Sequence, residues 1–202
     1  MTRRLKLTAQ VVVLAAVAGL LALLVWQLGH QHHAPRVGAV APPFTLRRLD
    51  GSGTVSLSAY RGRAVVLNFW ASWCNPCKSE AKVLQRDWMR YRDHRVVFLG
   101  VDYHDLSSDA RRFVDVHGLT FPMLDDGSGD VTHGKYGITQ VPETFVVGRT
   151  GRIVAHLAGP ITNPTFAAEF RSALARAASV TAKAGDARPE TGTPSASPGA
   201  AA

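Results

Sequence analysis

The sequence predicts an α/β domain, a central mixed sheet flanked by helices, with an N-terminal β-hairpin and a central insert. Four observations carry this. Ala64-Val65-Val66-Leu67-Asn68-Phe69 is a short apolar run rich in β-branched residues, the pattern of a buried strand. It is followed by Cys77, Ala81, Leu84, Trp88 and Tyr91, which recur at the spacing of one helix face, with Lys78, Lys82, Arg86 and Arg90 between them facing water. A second strand-like run, Arg95-Val96-Val97-Phe98-Leu99-Gly100-Val101, then makes a parallel pair with the first, because a helix intervenes. Near the C-terminus, residues 144–147 and 153–157 are strands joined by Arg149-Thr150-Gly151, a hairpin that adds antiparallel strands.

The remaining elements follow in order. Residues 37–44, with Pro42-Pro43, lead from a linker into a short strand. Residues 46–57 read as a hairpin around Asp50-Gly51-Ser52-Gly53. Ser107 or Ser108 is placed to cap a helix ending at His117-Gly118, with Ala110, Phe113, Val114 and His117 on one face. Residues 121–124 are a short extended piece, and a short helix is expected over 132–136. Asn163 caps a last helix that turns Phe166, Phe170, Leu174 and Ala177 inward. From residue 179 onward Ala, Pro, Gly, Ser and Thr dominate, the composition of a disordered tail.

The formal charge of +8 is unevenly spread. Half of it belongs to residues 1–36, where Arg3, Arg4, Lys6 and Arg36 meet no acid. The globular part has no basic run with interleaved aromatics, so composition gives no support to a nucleic-acid partner. Residues 9–28 are apolar apart from Gln10 and Gln27, a stretch of about 20 residues and long enough for a helix across a bilayer. The basic residues before it predict that residues 1–8 stay in the cytoplasm and that the rest lies outside. A cleaved signal peptide is the alternative, but the apolar core is long and the exit shows no small-x-small site. The reading is a signal anchor over 9–28, a polar linker over 29–37 containing His30, His32 and His33, and a domain over 38–178. Those histidines are alternatively a weak metal site.

Both cysteines lie in one turn, Cys74-Asn75-Pro76-Cys77, between the first strand and its helix. Free N–H groups and the positive end of the helix dipole face the first thiol there, which lowers its pKa and favours thiolate. Pro76 suits the first helical turn, where its missing N–H costs little. A structural disulfide is an alternative, but a four-residue loop gains only about 2 kcal/mol from closure. Zinc is another, but no second cysteine pair completes four ligands. The remaining reading is a dithiol that exchanges electrons, with exposed Cys74 attacking and more buried Cys77 resolving.

Glu80 follows Cys77 by three residues, on the same side of the helix. Desolvated there, its carboxyl would have a raised pKa and could accept the Cys77 proton as that thiol attacks. The bland alternative is an acid favoured by the helix dipole. Trp70 and Trp73 are either packing residues or part of a substrate-docking surface. Lys78 reads as a solvated charge.

With Asn68-Phe69-Trp70-Ala71-Ser72-Trp73-Cys74-Asn75-Pro76-Cys77-Lys78, Glu80, Gly118-Leu119-Thr120-Phe121-Pro122, and Tyr136-Gly137-Ile138 through Val141-Pro142-Glu143-Thr144-Phe145 in view, residues 38–178 resemble the thioredoxin fold. More narrowly, they resemble the membrane-anchored TlpA/ResA/CcmG (DsbE) family of extracytoplasmic thiol-disulfide oxidoreductases. The resemblance implies a cis proline at Pro142, with the Val141 backbone free to pair with a substrate strand beside Cys74. General thioredoxins place an acid on the central strand, where this chain has Asn68. The resemblance implies no cofactor and no metal, a monomer, disulfide-containing exported proteins as substrates and electrons from a membrane thiol-reductant transporter. Apocytochrome c haem-site cysteines are the favoured substrate, to which Glu143 after the proline inclines the reading. An oxidase that introduces disulfides is the first alternative. A copper metallochaperone is another, though no motif brings a histidine to the thiols. A peroxidase fits less well, because the peroxiredoxin active-site cysteine lacks a nearby second one.

Overall fold

The computed structural model describes residues 2–29 and 33–179. His30 and His32 of the expected linker, and the tail from residue 180 on, lie outside the described residues. Ser179, expected to begin the tail, instead ends the last helix.

Helix α1 (Thr2–Gly29) is continuous over 28 residues. Among the described residues no helix is long and apolar enough to cross a membrane. The described side chains of α1, residue 10 and residues 12–26, are all exposed.

Seven strands form one sheet: β1 (Thr45–Arg48), β2 (Thr54–Ser56), β3 (Ala64–Trp70), β4 (Val96–Tyr103), β5 (Met123–Asp126), β6 (Glu143–Val147) and β7 (Ile153–Leu157). Their order is β2-β1-β5-β4-β3-β6-β7. The middle is parallel, β5 with β4 and β4 with β3, and both flanks are antiparallel. The expected N-terminal hairpin is β1 with β2, in register Leu46 to Val55. At the centre, all seven residues of β3 are buried. That accounts for its apolar composition on both faces, as strands covered on both sides show near-continuous hydrophobic runs.

Helices α2 (Asn75–Tyr91), α3 (Ser107–His117) and α4 (Pro164–Ser179) complete the chain. Buried residues of all three join one core, with Val66, Trp70 and Phe98 of the sheet against Leu84, Phe113 and Phe170. Both crossovers, β3 to β4 and β4 to β5, step the same way along the sheet, so right-handed connections put α2 and α3 on one face. The opposite core, around Leu67, Phe69, Leu99 and Phe145, is covered by shorter pieces. These are residues 41–44, the 3₁₀ turn Leu57–Tyr60 and a single π-helical turn, Asp130–Lys135, near the short helix expected over 132–136.

Two caps compare differently with expectation. Asn163 does cap α4, its Oδ1 accepting from the Thr165 N–H at 3.0 Å. Ser107 and Ser108 do not cap α3: its N-cap is Leu106, without a side-chain cap bond. The residue before it, Asp105, accepts from the Leu106 N–H at 3.1 Å, so the acceptor lies upstream of the serines.

Gly100 in β4 passes directly beneath two side chains. A Cβ there would collide with Met123 Sδ and lie 2.9 Å from Trp70 Nε1. Gly100→Ala should therefore lower the unfolding free energy by about 1–3 kcal/mol through overpacking. Urea denaturation checks this, and an unchanged midpoint would mean the packing is looser than described.

Candidate active site

The last residues of β3 lead into a turn in which the Cys74 N–H donates to the Ala71 carbonyl at 3.2 Å. Cys74 is the N-cap of α2, and Pro76 sits in its first turn, as the spacing predicts. The two cysteines form a disulfide. The Cys77 N–H points at Cys74 Sγ, 3.1 Å away. On reduction that donor, with the helix end behind it, favours a thiolate on Cys74 over a thiol.

Cys74 is less open than expected. It is 4% exposed and Cys77 2%. Part of the cover is Val141, whose carbonyl oxygen is 3.5 Å from Cys74 Sγ. The Val141-Pro142 bond is cis, as the resemblance implies. Pro142 is buried, and Val141 remains partly accessible beside the sulfur. Of the two tryptophans, Trp73 stands out at 57% exposed. Trp70 does not belong to a surface. It is 2% exposed and stacked on Phe113 with ring centres 4.5 Å apart, so its expected role in substrate binding is corrected to core packing. The reason is strand parity: Trp70 shares its side of β3 with Val66 and Asn68, the side that meets the helices. Lys78 is exposed and donates to Asn75 Oδ1 at 3.1 Å.

Glu80 is 1% exposed, on the buried face of α2 with Cys77, Ala81 and Leu84. Its Oε1 accepts from Asn68 Nδ2 at 2.8 Å, and its Oε2 from the Ile161 N–H at 2.9 Å. Asn68 Nδ2 also donates to Thr144 Oγ1, in β6, at 3.0 Å. Burial pushes the Glu80 carboxyl up to about 7, against the two hydrogen bonds, which favour the charged form. The polar Asn68 inside an apolar strand was the signal for this network. Ile161 contributes a backbone donor, which leaves no mark in sequence.

A second network holds the turn from the other side. Asp105 accepts from the Ser72 N–H at 2.6 Å and from Ser72 Oγ at 2.9 Å. Close by, Asp102 is 1% exposed. Burial first, and then the like charges of Asp105 and Asp125, push its carboxyl up to about 8. Glu143, next to Pro142, is engaged by His156, Oε2 to Nε2 at 2.5 Å, and the His156 ring stacks on Phe145. Among the described residues no group of three His, Cys, Asp or Glu side chains could hold a metal ion.

Residues 37–156 match the AhpC/TSA family model. The chain belongs to this family. Within it, the chain is similar to the thiol-disulfide oxidoreductase ResA of Oceanobacillus iheyensis, 32% identical over 154 residues, 75% of this chain and 80% of that protein. ResA of Geobacillus thermodenitrificans is 33% identical over 129 residues, 64% and 73% of the two chains. Among solved structures, a candidate thiol:disulfide interchange protein DsbE from Chlorobium tepidum is 27% identical, with a TM-score of 0.62 over 70% of this chain and 99% of that one. A secreted disulfide oxidoreductase of Mycobacterium tuberculosis, homologous to DsbE of E. coli, is 25% identical, with a TM-score of 0.58 over 66% and 95%. The fold is thioredoxin-like and the protein is a thiol-disulfide oxidoreductase of the ResA/DsbE type, whose members act on disulfide-containing substrates.

The Glu80 carboxyl has a consequence for stability. Its folded value of about 7 lies above the 4.5 of an ordinary glutamate. Between those two pH values the folded protein keeps a proton that the unfolded chain gives up, so stability falls as pH rises. Glu80→Gln should remove a fall of about 1–3 kcal/mol between pH 4.5 and 7. Asp102, shifted the same way, carries the remaining slope toward pH 8 in both proteins. Urea unfolding across pH 4.5–8 checks this, and parallel curves for the two proteins would assign the slope to other groups.

Proposed function

We propose that this protein is a membrane-tethered reductase of disulfides in exported proteins. The observation that carries the reading is the Cys74 sulfur, capped by the Cys77 N–H and flanked by the carbonyl of Val141 before cis Pro142. In the reduced form the Cys74 thiolate attacks one sulfur of a substrate disulfide, forming a mixed disulfide and releasing the other substrate sulfur as thiolate, which takes up a proton. Glu80 accepts the Cys77 proton as Cys77 attacks Cys74 Sγ. The substrate leaves as a dithiol, and the protein is left in the Cys74–Cys77 disulfide form. Two electrons from a membrane thiol-reductant transporter restore the dithiol. Val141 and Trp73 offer the binding edge, Val141 through its backbone and Trp73 through its exposed ring.

Several features support the location and substrate. Residues 9–28 have the length and apolarity of a signal anchor, preceded by Arg3, Arg4 and Lys6, which favours an extracytoplasmic domain over residues 38–178. Resemblance to the TlpA/ResA/CcmG family, with Glu143 after the proline, supports apocytochrome c haem-site cysteines as the substrate. No cofactor is required, and the domain works as a monomer. The same residues can run in the oxidising direction, and the choice depends on how far the protein stabilises the reduced form, 30 mV corresponding to about 1.4 kcal/mol.

Equilibration with defined thiol/disulfide buffers separates the two directions. A reductase should have a reduction potential well below about −200 mV, and a value near −120 mV would instead assign disulfide formation. Cys74→Ser should abolish exchange, and Cys77→Ser should accumulate mixed disulfides visible on non-reducing gels. Glu80→Gln should shift the pH profile of thiol reactivity, and an unchanged profile would return Glu80 to a structural part.

A further inference from the structure

At the end of the sheet away from Cys74 there is a cavity of about 170 Å³. Its lining combines the buried apolar side chains of Ala41, Leu57, Val65 and Val147, which form an apolar floor, with Arg61, Arg63 and Arg149. No acidic residue lines it, and among the described residues none of the three arginines is in an ion pair. Arg149 Nε donates to the Gly62 carbonyl at 2.9 Å, and Arg63 lies over the Tyr60 ring at 5.9 Å. Both guanidiniums are thus held by their surroundings while their charge goes unanswered. An apolar floor under three uncompensated guanidiniums matches a ligand with an anionic head and an apolar body. Guanidinium suits phosphate in particular, because its planar fork pairs with two oxygens at once.

The course of the chain narrows the occupant. The segment leading from the N-terminal helix is stitched to this same end: the Gly38 N–H donates to the Ile153 carbonyl at 2.8 Å and the Ala41 N–H to the Gly151 carbonyl at 2.9 Å. Only eight residues separate Gly29, the end of α1, from Gly38. Fully extended, they span about 30 Å at most. Val37 and Val40, 59% and 63% exposed, and the exposed Arg36 lie on the same segment.

We propose that this cavity is a binding site for the phosphate headgroup of an anionic phospholipid. The three arginines hold the phosphate, and the apolar floor meets the glycerol and upper acyl carbons. The proposal rests on the reading of residues 9–28 as a membrane anchor. Docked this way, the arginine end of β3 lies against the bilayer and the thiol end projects away from it, toward soluble substrates.

The test uses the full chain in nanodiscs of phosphatidylcholine alone or with one quarter phosphatidylglycerol, read by amide hydrogen exchange of peptides covering residues 58–63 and 147–152. Exchange should slow several-fold in the anionic discs. Arg61→Gln/Arg63→Gln should remove that protection while leaving exchange with a small aromatic disulfide unchanged. Equal exchange in the two discs would overturn the proposal, and so would equal protection by millimolar inorganic phosphate in phosphatidylcholine discs, which would make the site one for free phosphate. Size-exclusion chromatography of the same samples reads the anchor separately. A chain that elutes apart from the discs overturns the anchor and the proposal with it, whereas a chain that co-elutes without protection overturns the headgroup site alone.

Discussion

The carboxyl of Glu80 is the point to which the active site is referenced. A carboxyl taken out of water costs several kcal/mol unless each oxygen finds a donor, and both of its oxygens do. The donors come from different parts of the chain: Asn68 in the central strand and the Ile161 N–H in the segment before α4. Asn68 has two amide hydrogens, and the second goes to Thr144 in β6. Two side chains, Glu80 and Asn68, thus tie α2, β3, β6 and the approach to α4. Because Cys77 lies one helical turn before Glu80, and Pro142 two residues before Thr144, the same ties set the cysteine turn relative to the cis proline. The placement of Val141 beside Cys74 follows from hydrogen bonds made beneath it.

The opposite flank of the turn is held by different physics. Asp105 grips Ser72 through both backbone and hydroxyl, a charged acceptor with two donors and therefore stronger than neutral pairs. Burial and the like charges of Asp105 and Asp125 raise the neighbouring Asp102 to about 8, so it is largely uncharged at neutral pH. Trp70, stacked on Phe113 above Gly100, fills the space behind. Between the Asp105 carboxylate gripping Ser72 on one side and the hydrogen-bonded Glu80 carboxyl on the other, the backbone from Ala71 to Cys77 has few ways to move.

Much of this was legible in sequence, for identifiable reasons. The strand, turn and helix around the cysteines follow from local periodicity, and Glu80 as a buried acid follows from its spacing to Cys77. Asn68 stands as the one polar residue in that apolar run, a local signal that does not name the partners it meets. The helices were legible, but that α2 and α3 share a face requires knowing that both crossovers step the same way, a property of sheet order. The exposure expected of Cys74 failed because part of its cover comes from Val141, 67 residues away. Trp70 was ambiguous because an aromatic at a strand end can face either side, although its parity with Asn68 favoured the helices. The serine caps of α3 were displaced by Asp105, whose carboxylate reaches both Ser72 and the helix start.

The fully buried β3 has ends of opposite character, thiols after Trp70 and Arg63 before Ala64. Seven residues of strand separate them, a distance of about 20 Å. That is more than twice the Debye length of about 8 Å at physiological ionic strength. Solvent-screened charge at the arginine end therefore contributes little to the potential felt by Cys74. Thiolate character is set locally, by the Cys77 N–H and the start of α2. Basic residues collected at the far end of the strand can thus act on where the domain sits without altering the chemistry of the cysteines. A basic patch beside the thiols would instead stabilise thiolate and make the disulfide more oxidising. Separating the two lets position and reduction potential be set independently.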